Sequence, residues 1–180
     1  MDIRRKHLSV SSSGEFSMDQ REDALRCVLY EMVVLAMALL QLKKKSEKMK
    51  VRSSGESLPF GQEQTAHEAA SMTCRVLIEF LYPKRQGKKG SSAPKDLRTF
   101  NDSLNKWAFH LTWKRVKKSK DYLQSYPAEL LKRGPEVLEE ARIFVEDCVK
   151  KYHYKLTSPN AAAYYDKFLE LYSKVKRLGK

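Results

Sequence analysis

The sequence predicts an all-α protein, an up-down bundle of four main helices with a further C-terminal helix. Apolar residues recur every three or four positions in several long segments, which is helical spacing. Leu, Ala, Met, Tyr and Phe supply most of these side chains and Ile is sparse, a choice that favours helix over strand. Only six prolines and seven glycines occur in 180 residues, which suits long helices with short connections.

The first helix is predicted to begin at Met18 or Asp19, where nearby acidic residues suit the positive end of the helix dipole. It should end in the lysines of 43–45. Its apolar positions are Leu25, Val28, Leu29, Met32, Leu35, Ala36, Leu39 and Leu40. The strongly apolar run 32–40 is nine residues long, short of the roughly 18 needed to span a bilayer. We therefore expect it to be the most buried part of a core helix.

Two further helices are expected before a long basic stretch. The second should run from about Gln62 to Leu81, because Pro83 stops it. The third should run from Asp96 to about Leu111. Between them, 84–95 is a flexible basic loop rich in turn-forming residues.

Pro127 and Gly134-Pro135 punctuate the next segment, so a fourth helix is predicted to begin after Gly134, with Pro135 in its first turn. Ser158 is expected to cap a last helix, with Pro159 at its first position and an end near residue 178. The predicted organisation is a disordered basic arm over 1–17, a helical bundle domain over 18–155 and a C-terminal helix over 156–180 that packs on the bundle.

The chain carries a large positive charge, with 35 lysines and arginines against 22 acidic residues and a net charge of +13. Such a charge attracts polyanions, although a well-solvated basic surface is the alternative. An up-down course brings the ends of the first and third helices to one pole, and places 84–95 at the other. The predicted nucleic-acid-binding residues are Lys114, Lys117, Lys118 and Lys120.

The sequence argues against most standard enzyme classes. It contains no phosphate-cradling glycine loop, no His-Glu-x-x-His spacing and no serine in a nucleophile elbow. Cys27, Cys74 and Cys148 lack metal-ligand spacing, and each sits in an apolar helical pattern. We expect reduced, buried thiols in a cytoplasmic protein without metal, cofactor or membrane association.

One stretch concentrates chemically useful side chains, from Asn105 through His110 and Thr112 to Arg115. Imidazole can donate or accept a proton near neutral pH. A guanidinium can hold a phosphate or a carboxylate with two hydrogen bonds. His110 and Arg115 are therefore candidates for metal-free RNA cleavage, or for phosphate binding without cleavage.

A structural interpretation of His110 competes with this one. His110 is flanked by Phe109 and Leu111, and a histidine in such a pattern is more often a hydrogen-bonded core residue. Its partner could be Arg75 or Glu79, which lie four positions apart in the second helix. A surface ion pair between those two is the alternative, and would be worth little.

These residues resemble two short motifs of small bacterial helical proteins. One motif is Asn-Lys-…-His-Leu-Thr-…-Arg, here within 105–115, and the other is Arg-x-Leu-x-[Asp/Glu]-Phe-Leu, here 75–81. The arrangement is similar to HEPN domains, which are helical bundles often found as ribonucleases or toxins. The resemblance spans about 20–155 and implies a HEPN-like bundle.

The HEPN catalytic signature is an arginine, a polar residue and, after a short spacing, a histidine. His110 matches the histidine, but Asn105 and Lys106 occupy the other two positions, and 101–114 contains no arginine. This departure favours a non-catalytic module that binds RNA or a partner protein. The alternatives are a metal-independent ribonuclease that uses His110 and Arg115, and a generic helical interaction domain. A homodimer is compatible with all three.

Overall fold

The structure is a computed structural model of the whole chain. It describes residues 18–51, 60–83, 93–105, 119–152, 156 and 158–177, with side chains described for 20–44, 66–83, 93–105, 128–150, 156 and 158–177. All regular secondary structure in these residues is helical, as predicted. The helices are α1 (Met18–Val51), α2 (Phe60–Leu81), α3 (Lys95–Leu104), α4 (Ser119–Tyr152) and α5 (Pro159–Val175).

Helix α1 is the central element, since it packs against α2, α4 and α5. The apolar positions predicted for it are buried, apart from the half-buried Leu40. The segment Gln20–Lys44 is long and apolar enough to cross a membrane by length and composition, but 56% of its most apolar window is buried inside the protein. The core helix of a bundle passes the same test, and so does a signal sequence near the N-terminus, so this one helix is weak evidence of a membrane span.

The hydrophobic core is continuous across all five helices. Its largest fully buried side chains are Phe168, Leu29, Met32, Leu35, Leu39, Leu77, Ile78, Leu104, Leu130, Leu138, Val137 and Val145. Such a core accounts for the long helices, because a helix gains most of its stability by burying an apolar face.

Helices α2 and α3 follow the prediction closely. Helix α2 ends at Leu81, two residues before Pro83. Helix α3 buries Leu97, Phe100 and Leu104. The predicted continuation of α3 to Leu111 lies outside the described residues.

Helix α4 corrects the prediction that Pro127 and Gly134-Pro135 interrupt the chain, because a single helix of 34 residues runs through both. Pro135 donates no hydrogen bond to the carbonyl four residues earlier, a loss that costs about 3 kcal/mol in a helix interior. The apolar face is unbroken across it, however, with Leu130, Gly134 and Val137 all buried. Burial of this face against the core offsets the local cost.

Gly134 has a specific reason to be a glycine. A Cβ atom built on it would lie 2.6 Å from Leu39 Cδ2 and 2.8 Å from Leu39 Cδ1. The buried Leu39 side chain of α1 therefore packs so close to Gly134 of α4 that a side chain at this position would force Leu39 to move. Gly134 marks this close approach and does not end a helix.

Helix α5 begins at Pro159, as predicted, but it ends at Val175, before the expected position 178. Ser158 stands at the N-cap position, but its hydroxyl makes no capping hydrogen bond. Instead, its carbonyl accepts the Ala162 N–H at 3.2 Å.

The prediction of three buried cysteines is wrong for one of them. Cys74 and Cys148 are buried, but Cys27 is exposed on α1. Helical spacing alone could not decide this, because α1 is apolar around most of its circumference.

Candidate functional site

Most residues of the predicted site fall where the structure gives no description. Those outside the described residues are His110, Thr112, Lys114, Arg115, Lys117 and Lys118. Lys120 belongs to the first turn of α4, but its side chain is outside the described ones. The described residues of the predicted site are Asn105, Arg75 and Glu79.

Asn105 lies at the end of α3, immediately before the segment that carries His110. It keeps right-handed helical geometry, with φ −60° and ψ −47°, and its N–H points to the carbonyls of Asn101 and Asp102. One turn earlier, the side-chain oxygen of Asn101 is excluded from solvent and has no hydrogen-bond partner among the described residues. The end of α3 therefore holds two amide side chains, one of which has a buried oxygen that accepts no hydrogen bond from the described residues.

Arg75 and Glu79 form an ion pair on the surface of α2. Arg75 Nε lies 3.0 Å from Glu79 Oε1, and the two side chains are 35% and 49% exposed. The sequence allowed either a surface pair between these residues or a contact of one of them with His110, and the surface pair is present. Whether either residue also reaches His110 lies outside the described residues.

Arg133 fastens together the two helices that flank 106–118. From the middle of α4 its guanidinium lies 2.8 Å from Glu136 Oε2 and 3.3 Å from Glu129 Oε1 on the same helix. It also lies 3.3 Å from Asp96 Oδ2 in the first turn of α3. Hydrogen bonding to Glu136 is the main reason that the Arg133 pKa is raised. Helix α3 precedes 106–118 in the chain and α4 follows it. Arg133 therefore links the two helices that flank this segment.

A second ionic network joins α4 to α5. Arg142 donates from Nε and Nη2 to the two oxygens of Glu139, each at 2.8 Å. Arg142 Nη1 also donates to Glu146, and the Tyr172 hydroxyl donates to Glu139. The Arg142 guanidinium lies 5.8 Å from the centre of the Tyr172 ring, within cation–π range.

The pKa values of this network indicate a structural role. Hydrogen bonding from Arg142, followed by that from Tyr172, lowers the pKa of Glu139 to about 2. Burial and the Glu139 carboxylate raise the pKa of Tyr172. At neutral pH the carboxylate is therefore charged and the phenol protonated, and neither is poised to exchange a proton. The network holds α5 against α4.

Only half of this network is visible in the sequence. Glu139, Arg142 and Glu146 have the i, i+3 and i, i+4 spacings that place opposite charges side by side on a helix. Tyr172 lies 33 residues further along the chain, and no local pattern links it to Glu139.

The other described groups with possible chemistry are not arranged as a catalytic centre. Burial lowers the pKa of His67, against the opposing effect of Glu68. Burial raises the pKa of Cys74, and raises that of Cys148 to about 12 with help from Asp147. Both thiols are therefore protonated and unreactive at neutral pH. Within the described ranges, no group of three or more His, Cys, Asp or Glu could hold a metal ion.

The basic residues divide into two populations. In the described parts of α4 and α5, arginines and lysines lie beside acids, as where Glu170 bonds Lys167 at 2.7 Å and Lys174 at 2.8 Å. In contrast, 105–120 contains six basic residues and no acidic one. The connection 84–95 is similar, with five basic residues and no acidic one. Both stretches are therefore candidates for anion-binding surfaces, and 105–120 is the one that also carries His110 and Arg115.

No protein-family model matches this sequence, and neither curated proteins nor solved structures give a similar protein.

Proposed function

We propose that this chain is a non-catalytic, HEPN-like helical module that binds the phosphate backbone of RNA through 105–120. The observation that carries the proposal is that 105–120 contains six basic residues and no acidic one, five of them within 114–120. Lys114, Lys117, Lys118 and Lys120 are its principal binding residues, and Arg115 adds a guanidinium that suits bidentate contact with phosphate.

The helical scaffold supports this proposal by anchoring both ends of the basic stretch. Residue 105 closes α3 and residue 119 opens α4. Arg133 joins those two helices through Asp96. Because both ends of the stretch are held by linked helices, its chain loses less conformational entropy on binding an anion than it would between two independent helices.

Salt-dependent RNA binding tests the proposal directly. Single-stranded RNA of mixed sequence should bind in low salt, with affinity falling steeply as salt rises. The Lys114→Glu, Lys117→Glu, Lys118→Glu triple variant should lower affinity more than about tenfold and reduce the log–log salt slope by about 2. Fluorescence anisotropy across a salt series measures both quantities.

A charge-matched variant separates a binding surface from a general effect of net charge. Lys84→Glu, Lys88→Glu and Lys89→Glu make the same charge change in the other basic connection. They should lower affinity much less than the first triple variant. Equal losses would favour a merely solvated basic surface, and undetectable binding in low salt would reject the proposal in favour of a protein partner.

A further inference from the structure

The exposed side of α1 forms a regular line, here called the α1 seam. It consists of Asp23, Cys27, Tyr30, Val34, Met37, Gln41 and Lys44. All are exposed except Val34, which is half-buried. The positions alternate in steps of four and three, a repeat of 3.5 residues. A repeat of 3.5 residues is typical of the contact line between two helices of a left-handed coiled coil.

The middle of the α1 seam is apolar and its ends are charged. Tyr30 is 49% exposed and Met37 is 47% exposed, with Val34 between them. Tyr164 of α5 lies edge-on to Tyr30, with ring centroids 5.6 Å apart, and so holds that ring in place. Large apolar side chains in line on the outer side of the most buried helix indicate a contact surface.

The α1 seam is also complementary to itself. If it is reversed about Val34, Tyr30 falls opposite Met37, Cys27 opposite Gln41 and Asp23 opposite Lys44. An acid at one end therefore meets a base at the other end of an identical, antiparallel helix. Two-fold pairing requires this kind of self-complementary patch, in which the same residues contact each other in both directions.

We propose that the α1 seam is a homodimer interface, in which α1 of one protomer packs antiparallel against α1 of a second copy. The contact extends over about 31 Å from Asp23 to Lys44. A seam of one helix on another buries less than the roughly 1,600 Å² of a standard interface. The dimer is therefore weak and depends on protein concentration.

Sedimentation equilibrium over a range of protein concentrations tests the dimer. The measurement is made at physiological salt, because two chains of net charge +13 repel each other until salt screens them. Met37→Lys should abolish association, since it places a charged side chain from each protomer in the apolar middle of the interface. Leu169→Lys is the matched control: Leu169 on α5 is 41% exposed and lies outside the α1 seam. It should leave the dimer intact.

Charge reversal tests the antiparallel orientation. Asp23→Lys alone and Lys44→Asp alone should each weaken association about five- to tenfold, because each makes two contacts per dimer repulsive. The double variant should restore the wild-type dissociation constant. Failure of the double variant to recover affinity would overturn the antiparallel pairing.

A single-cysteine experiment tests the register. Val34→Cys in a Cys27→Ser background places two thiols at the two-fold axis, where they should form a disulfide on mild oxidation. The wild-type Cys27 thiols lie about 21 Å apart along the axis in this dimer, so wild-type protein should stay uncrosslinked under the same conditions.

Two results would overturn the dimer outright. One is a monomer at every concentration. The other is binding of the wild-type protein, but not of Met37→Lys, to uncharged lipid vesicles without self-association, which would assign the α1 seam to a membrane surface. Both are distinguishable from failure of RNA binding, because none of these variants alters 105–120.

Discussion

The Arg142 side chain contacts two carboxylates and one aromatic ring. It links Glu139 and Glu146 on its own helix and covers Tyr172 of α5. Most exposed ion pairs contribute little, because water and salt screen them. The Arg142 side chain is only 24% exposed. Its ion pairs are therefore screened less by water and salt than the exposed pairs of Glu170 on α5.

The lowered pKa of Glu139 predicts that the fold weakens in acid. Because its folded value of about 2 lies below the ordinary 4.5, its contribution is complete above about pH 4.5 and is lost as pH falls toward 2. Glu139→Gln should cost about 1 kcal/mol at neutral pH, after discounting for solvent screening. It should also flatten the acid limb of a plot of melting temperature against pH.

Glu170→Gln is the control for this experiment. Bonds to Lys167 and then to Lys174 lower the Glu170 pKa, but the group is on the outer surface of α5. Salt should erase any effect of Glu170→Gln on the melting temperature, whereas the effect of Glu139→Gln should persist. Identical salt dependence of the two variants would contradict a structural role for the Arg142 network.

His110 allows a test between the enzyme and the structural interpretation. If His110 is a hydrogen-bonded core residue, His110→Ala leaves its partner unsatisfied at a cost of about 1–3 kcal/mol. The melting temperature should then fall by several degrees, and the wild type should show no RNA cleavage in EDTA. We expect this outcome, measured by differential scanning calorimetry and a gel-based cleavage assay.

The histidine of α2 provides a matched control, because His67→Ala removes an imidazole outside the candidate stretch. Metal-independent cleavage that survives in His67→Ala and disappears in a fully folded His110→Ala would contradict the expectation. It would instead favour a ribonuclease that uses His110.

At the scale of the helix, Gly134 of α4 packs directly against the Leu39 side chain of α1. Gly134→Ala would ordinarily stabilise a helix by roughly 0.5–1 kcal/mol. Here the new methyl group would meet the fully buried Leu39 at 2.6 Å. We expect a net loss of about 1–3 kcal/mol, the usual cost of overpacking, measured by urea denaturation.

A double-mutant cycle gives the control for this substitution. Leu39→Ala removes the atoms that the new Cβ would strike, so Gly134→Ala should cost less in that background than in the wild type. Additive costs would show that the close approach of α1 and α4 is not the reason for the glycine.

At the scale of the whole molecule, the two proposed surfaces occupy separate parts of the chain. The α1 seam runs along the central helix, and 105–120 joins α3 to α4. A dimer through the α1 seam would present two such basic stretches to one RNA. Binding through both would raise apparent affinity without new contacts, provided that the RNA can span them.

The sequence alone determined the helical class and much of the helical layout. Apolar spacing correctly identified most of the buried positions predicted for α1, and the two prolines at 83 and 159 correctly marked an end and a start. The predicted end of α1 was wrong, because the helix continues past the lysines of 43–45 to Val51. The four-residue spacing of Arg75 and Glu79 likewise allowed their pairing to be anticipated. These features are local, because backbone sterics and helical periodicity act within a few residues.

Tertiary structure decided what those local rules leave open. Gly134-Pro135 ordinarily interrupts a helix, but here a buried face continues through it and its burial outweighs the local cost. The pairing of Tyr172 with Glu139 and the exposure of Cys27 likewise depend on which helices are neighbours. The candidate site has the same limit: its residue types were evident from the sequence, but the surroundings of His110 depend on contacts between distant segments. No local pattern encodes such contacts, because burial free energy comes from whichever surfaces the whole chain brings together.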